Sequence, residues 1–194
     1  PQLFQSSPHI SNIRLRCHAG KGMLHFMMLN FVSARKNMLD GQLKPNGLSN
    51  LELRNRFVSV PREEFLPAEL RNLAYKDNPI LLPEGRELLA PLVTARLLQG
   101  LNLQAADKLQ ILAAGPGYSA IIAAPLVAEV TAVAREPRWK DVAKRAAIEA
   151  GVENLKWRTL NSADGYSANA PYDKILIDTV VGKVPHKIFD QLTT

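Results

Sequence analysis

"ILAAGPGYSA" (residues 111–120) marks the point where a short apolar run gives way to small residues and two glycines. A run of this kind followed by Gly115 and Gly117 reads as a strand turning tightly into a helix, the place where open α/β sheets bind ligands. Two glycines suit a plain corner as well as a nucleotide-binding turn, so spacing alone leaves both readings open.

The text on either side decides the fold. "KLQILAA" (108–114) predicts a strand, and "GYSAIIAAPLVA" (117–128) a helix that Pro125 kinks or ends. "EVTAVA" (129–134) predicts a second strand. "PRWKDVAKRAAIEAG" (137–151) predicts a helix opened by Pro137 and closed by Gly151. "NLKWRTL" (154–160) and "YDKILIDTVV" (172–181) predict two more strands, the latter strongly apolar and buried, before "VPHKIFDQL" (184–192) starts another helix. Strands alternating with helices of this length predict an α/β fold, a Rossmann-like doubly wound parallel sheet with helices on both faces.

Upstream the pattern is helical. "FVSARKNMLDGQL" (31–43) predicts a short helix, and "LSNLELRNRF" (48–57) another with Ser49 as N-cap and Glu52 completing a capping box. "PAELRNLAY" (67–75) predicts a helical turn and "KDNPILLPEGRE" (76–87) a turn-rich loop. "APLVTARLLQGL" (90–101) predicts a helix opened by Pro91. Three segments result: residues 1–30 a basic leader, disordered or targeting; 31–101 a helical segment; 102–194 the Rossmann-like domain.

Composition limits the function classes. Hydrophobic residues make up 46% and charged residues 22% of 194, as in an ordinary soluble globule. No apolar stretch approaches the ~18 residues of a membrane span. Cys17 is the only cysteine, which excludes an internal disulfide and a thiolate zinc site; with His18 and His25 it supplies too few ligands for a metal, and none is expected. Most of the net charge of +6 lies before Asp40. Before Asp40 there are five basic residues and no acidic one, leaving 19 basic against 18 acidic in the rest. A near-neutral body without aromatics interleaved on a basic face argues against nucleic acid as partner. A basic, acid-free leader is compatible with a transit peptide, and hence an organellar location, or with a solvated extension of a cytoplasmic protein.

From Phe31 onward the chain resembles the protein-L-isoaspartate O-methyltransferases. "NMLDGQL" (37–43) looks like their opening helix, and "VPREEFLPAELRNLAYKDNPI" (60–80) is similar to the segment preceding their active loop. "AGPGY" (114–118) matches the end of their cofactor loop, and "GYSANAPYDKILID" (165–178) resembles the approach to their fourth strand. The resemblance implies S-adenosylmethionine as cofactor and proteins or peptides bearing isoaspartyl residues as partners. It implies protein repair by methylation of a carboxylate, an acceptor already ionised near pH 7 that needs no strong base.

Placed residue by residue, the resemblance weakens at the site. The family's "VLEIGTGSGY" sets its acidic residue on Ile111 and its first glycine on Ala113, keeping Gly115, Gly117 and Tyr118. The acidic residue that binds ribose hydroxyls falls on Ala134, with Glu136 as substitute, and the aspartate facing adenine falls on Asn161. The family's active-loop threonine and serine fall on Glu87 and Leu89, the catalytic positions by alignment. Glu87 would repel a carboxylate and Leu89 cannot hydrogen-bond one; Arg86 is either a compensating cation for an incoming carboxylate or a solvated loop cation, and both readings stay open. Tyr118 either packs under the cofactor or joins the core, and Asp178 either lines the site or caps the next helix. The resemblance also implies further strands after the fourth, so the expected sheet is C-terminally incomplete. Two readings follow: a methyltransferase of the isoaspartyl-repair type, or a catalytically idle descendant that binds S-adenosylmethionine or a protein partner. A methyltransferase redirected to RNA or a small molecule is a third.

Overall fold

The computed structural model describes residues 31–193. The leader of residues 1–30, with Cys17, His18 and His25, lies outside them.

Four parallel strands form the central sheet: β3 (Lys108–Leu112), β4 (Glu129–Ala134), β5 (Leu155–Thr159) and β6 (Lys174–Ile177), in the order β5-β4-β3-β6. Helix α4 (Tyr118–Ala123) connects β3 to β4, and α5 (Arg138–Glu149) connects β4 to β5. Residues 160–173 then cross back to set β6 on the free side of β3. The winding direction therefore reverses at β3, and the carboxyl ends of β3 and β6 are where doubly wound sheets place their ligand crevice. The fold class is the doubly wound one the alternation predicts.

Side chains on the inner strands alternate with period two. Leu109, Ile111, Val130 and Ala132 enter the main core beneath α4 and α5. Leu112 and Val133 point the other way and meet Ile188 of α6 (His186–Phe189) in a smaller cluster. Gln110 and Thr131, also buried, share that second face. Asn169 donates to Thr131 Oγ1 at 3.1 Å there. Pro125 ends α4, as expected: the helix gives way to a 3-10 turn at Ala124–Leu126. Strand β6 is shorter than the apolar text suggests and mostly half-buried, because it pairs only with β3 among the described residues.

The N-terminal segment wraps the α4 side. Helix α1 (residues 31–38) runs into a π-helical turn, Leu39–Leu43, that buries Met38, Leu39 and Leu43. Helix α2 (Leu51–Ser59) buries Leu53 and Phe57, one turn apart. Its N-cap is Asn50, not Ser49: Asn50 Oδ1 accepts from the Leu53 amide at 2.9 Å. The boundary moves because Gln99 Oε1 accepts from both the Ser49 and Asn50 amides, at 2.8 and 3.1 Å. Gln99 belongs to α3 (Pro91–Gly100), so a tertiary contact overrides the local capping signal. The turn-rich stretch before α3 contains an antiparallel hairpin, β1 (Ile80–Leu82) with β2 (Arg86–Leu88). Its 3-10 turn, Pro83–Gly85, needs Gly85 at φ +72°. Apolar residues of this whole segment share the sheet's main core.

Candidate functional site

The carboxyl ends of the four strands bring together the residues that the sequence placed far apart. Ala114 donates its amide to Val133 O at 2.9 Å, Leu160 to Ala134 O at 3.1 Å, and Asp178 to Leu112 O at 2.9 Å. These bonds extend the ladder past each strand and align one edge: Asn161 after β5, Glu136 after β4, the glycine turn after β3, Asp178 after β6.

The turn has three residues with positive φ: Ala113 at +57°, Gly115 at +51° and Gly117 at +93°. Ala113, where the family pattern sets a glycine, keeps a left-handed backbone that costs an L-residue roughly 1–2 kcal/mol. The two glycines differ. A Cβ on Gly115 would meet only Arg86 Nη2, at 3.7 Å. A Cβ on Gly117 would lie 3.0 Å from Ala143 Cβ and 3.1 Å from Trp157 Cζ3, so α5 packs directly on it. Gly115 leaves room above the turn, and Gly117 lets the helix layer close beneath it.

Tyr118 belongs to the core. It is fully buried and meets Phe57 and Phe65 edge-on, with centroids 6.2 and 5.2 Å away. Burial pushes its hydroxyl up to about 12. Of the two readings open for it, this burial favours the core, because the first residue of α4 turns inward. Glu136 is half-buried, and its Oε2 is shielded from solvent without a hydrogen-bond partner. That is an acceptor held ready for a donor such as a sugar hydroxyl. Asn161 is exposed, and its Oδ1 accepts from the Ala163 amide at 3.3 Å, which leaves its side-chain NH₂ outward.

Asp178 is buried at the end of β6, where Ser119 Oγ donates to Oδ2 at 2.5 Å. Burial pushes its carboxyl up to about 6, against the Ser119 hydrogen bond and the charges of Arg86 and Arg62. Arg62, fully buried, donates from Nε to Ala74 O at 2.8 Å and from Nη2 to Leu89 O at 2.5 Å. Its guanidinium stacks 4.8 Å from the Tyr118 ring centroid, and burial lowers its affinity for the proton.

In the hairpin, the two positions aligned with the family's catalytic hydroxyls part ways. Glu87 is exposed and sits opposite Leu81, because the pleat turns alternate residues outward. The carboxylate repulsion expected of it is therefore not directed along the face that carries Arg86. Leu89 is buried, and its role in the structure is the carbonyl that Arg62 holds. Arg86 instead faces the turn and donates from Nη2 to the Ala113 carbonyl. Its Nε is buried with no acceptor. Sequence reasoning missed Arg62 and Ser119; a cation amid the apolar "VPREEF" was the available signal for the first.

The donor set suits S-adenosylmethionine in part. Room over Gly115 and the orphaned Glu136 Oε2 fit it, whereas the packing beneath Gly117 and the burial of Tyr118 serve the fold.

This fold is that of the S-adenosylmethionine-dependent methyltransferases. A solved protein-L-isoaspartate O-methyltransferase superposes with a TM-score of 0.71 at 24% identity, over 82% of this chain and 52% of that one. The chain thus spans about half the length of that protein. A precorrin-6y C5,15-methyltransferase from Geobacter metallireducens superposes with a TM-score of 0.51 at 18% identity, over 61% of this chain and 65% of that one. Among curated sequences, the protein-L-isoaspartate O-methyltransferase of Koribacter versatilis is 30% identical over 165 residues, 85% of this chain and 74% of its own length. That of Methanoculleus marisnigri is 29% identical over 158 residues, covering 81% and 72%. The sequence model of protein-L-isoaspartate(D-aspartate) O-methyltransferases matches residues 34–194, and the chain belongs to that family.

Proposed function

We propose that the chain is a protein-L-isoaspartate (D-aspartate) O-methyltransferase acting on damaged proteins, with its cofactor seated at the carboxyl ends of β3–β6. The observation that carries this reading is the family match over residues 34–194, joined to a left-handed glycine turn at the sheet's switch point. S-adenosylmethionine, when bound, supplies a methyl group on a sulfonium to an acceptor carboxylate. Such a displacement needs alignment and exclusion of water more than acid–base help. In this reading Glu136 accepts from the ribose hydroxyls, Gly115 gives the backbone close approach, and Asn161 offers its amide to the adenine side. The hairpin positions 87 and 89 contribute backbone rather than hydroxyls. Residues 102–194 form the cofactor-binding part and 31–101 the substrate side, with residues 1–30 a basic leader.

The near-neutral charge from Asp40 onward supports a peptide acceptor over a nucleic acid. Among the described residues no helix is long and apolar enough to cross a membrane, and a cytoplasmic place is part of the proposal. Two assays test it: calorimetry with S-adenosylhomocysteine, and methylation of an isoaspartyl peptide against its aspartyl twin. Micromolar binding with methylation of the isoaspartyl form alone is expected. Binding without turnover on either peptide would overturn the repair activity while keeping the cofactor.

A further inference from the structure

Arg86 is unusual for a surface-hairpin arginine. As the first residue of β2 it shares a face with buried Leu88, while Glu87 between them turns to solvent. Its guanidinium reaches the glycine turn, where Nη2 donates to Ala113 O and lies 3.7 Å from the Cβ position of Gly115. Among the described side chains it has no ion-pair partner within 4.0 Å. Its Nε is out of solvent and unmatched. A guanidinium carries five donors in a fork that fits a carboxylate bidentately, and here, among the described residues, its hydrogen bond is to one backbone carbonyl.

Asp178 lies near enough to feel the charges of Arg86 and Arg62, but it is engaged by Ser119, whose Oγ donates to its Oδ2 at 2.5 Å. Among the described side chains it makes no ion pair with either arginine within 4.0 Å. We propose that Arg86 is a carboxylate-binding residue of this site, its Nε and Nη donors taking over the anion-holding task that hydroxyls at positions 87 and 89 cannot perform. The assignment rests on the methyltransferase reading above. It leaves two sources for one chemistry: the acceptor's carboxylate, or the carboxylate of the cofactor's methionyl portion.

The test uses the full chain as wild type, Arg86→Gln and Arg86→Lys, each checked for a cooperative thermal melt. Calorimetry compares S-adenosylhomocysteine with 5′-methylthioadenosine, which lacks the amino-acid carboxylate. Fluorescence anisotropy compares an isoaspartyl peptide with the same peptide carrying a carboxamide. Arg86→Gln is expected to weaken one carboxylate ligand by roughly ten- to a hundredfold and to leave its carboxylate-free counterpart within about twofold. Arg86→Lys recovers part of the loss and keeps the assignment testable if the glutamine variant melts early. Loss for the homocysteine ligand alone names the cofactor as source, and loss for the peptide alone names the acceptor. Wild-type affinity for both carboxylate ligands in Arg86→Gln overturns the assignment and leaves the methyltransferase reading intact. A wild type that binds neither ligand overturns that reading and this one with it.

Discussion

On the glycine turn, alanine stands at position 113 where the family pattern has glycine, and the backbone still holds φ +57°. On the facing hairpin, Glu87 and Leu89 stand where it has hydroxyls, and neither side chain carries one. The two regions look onto the same crevice but carry their tasks differently. A backbone conformation imposed by neighbouring ladders survives the loss of the residue that favours it, at a cost of roughly 1–2 kcal/mol. A side-chain function vanishes with the side chain and has to be supplied from another position. Here Arg86 is the neighbouring group whose pleat points inward.

The largest effect expected on this comparison is at Gly117. Gly117→Val would force a β-branched side chain into φ +93° and against Ala143 and Trp157. A loss of about 4 kcal/mol is expected from strain plus overpacking, read by urea denaturation. A loss under 1 kcal/mol would show that the turn is not held by α5 at all.

Next comes Asp178, whose burial makes it pH-sensitive. Its folded value of about 6 lies above the 3.8 of a free aspartate, so the folded chain keeps a proton that the unfolded chain releases between those values. The group's contribution to stability is full below about pH 4 and lost as pH rises through about 6. Asp178→Asn is therefore expected to be more stable than the parent by about 2–3 kcal/mol at pH 7.5, with the gap closing by pH 4. Parallel denaturation curves at both pH values would show a carboxylate that is better solvated than its burial implies.

At Glu136 the expected effect is on affinity rather than stability. Glu136→Ala should weaken S-adenosylhomocysteine by about 2 kcal/mol, some thirtyfold, if its buried Oε2 accepts from the ligand. Unchanged calorimetric affinity would remove Glu136 from the site. The smallest effect is a gain: Ala113→Gly should relieve the left-handed strain and stabilise by about 0.5–1 kcal/mol after the glycine's extra unfolded-state entropy. A destabilised variant would mean that the alanine methyl packs more usefully than its φ suggests.

The parallel sheet was legible because its strands and helices carry distinct periods and each helix opens or closes on proline or glycine. Strand β6 was over-read: an apolar run looks the same whether one neighbour or two will cover it. The hairpin was illegible, since three-residue strands around Pro83 and Gly85 have no room for alternation to show. The strand-to-helix corner at the glycines was readable from local pattern, whereas Glu136 came into view only through the family resemblance. The pairing of Ser119 with Asp178, 59 residues apart, and the reach of Arg86 to Ala113, 27 apart, depend on strand order and pleat, which no local pattern encodes. Ser49 failed as a cap for the same reason: Gln99, 50 residues on, takes its amide.

Arg62 anchors the hairpin from within the core. Its guanidinium, wholly out of solvent, ties Ala74 to Leu89 at the root of the hairpin. Lifting that root would strand a cation in a dry interior. The hairpin's root is thus fastened from inside the core by a buried charge, and two backbone carbonyls, not side chains that evolution could exchange, are what it grips.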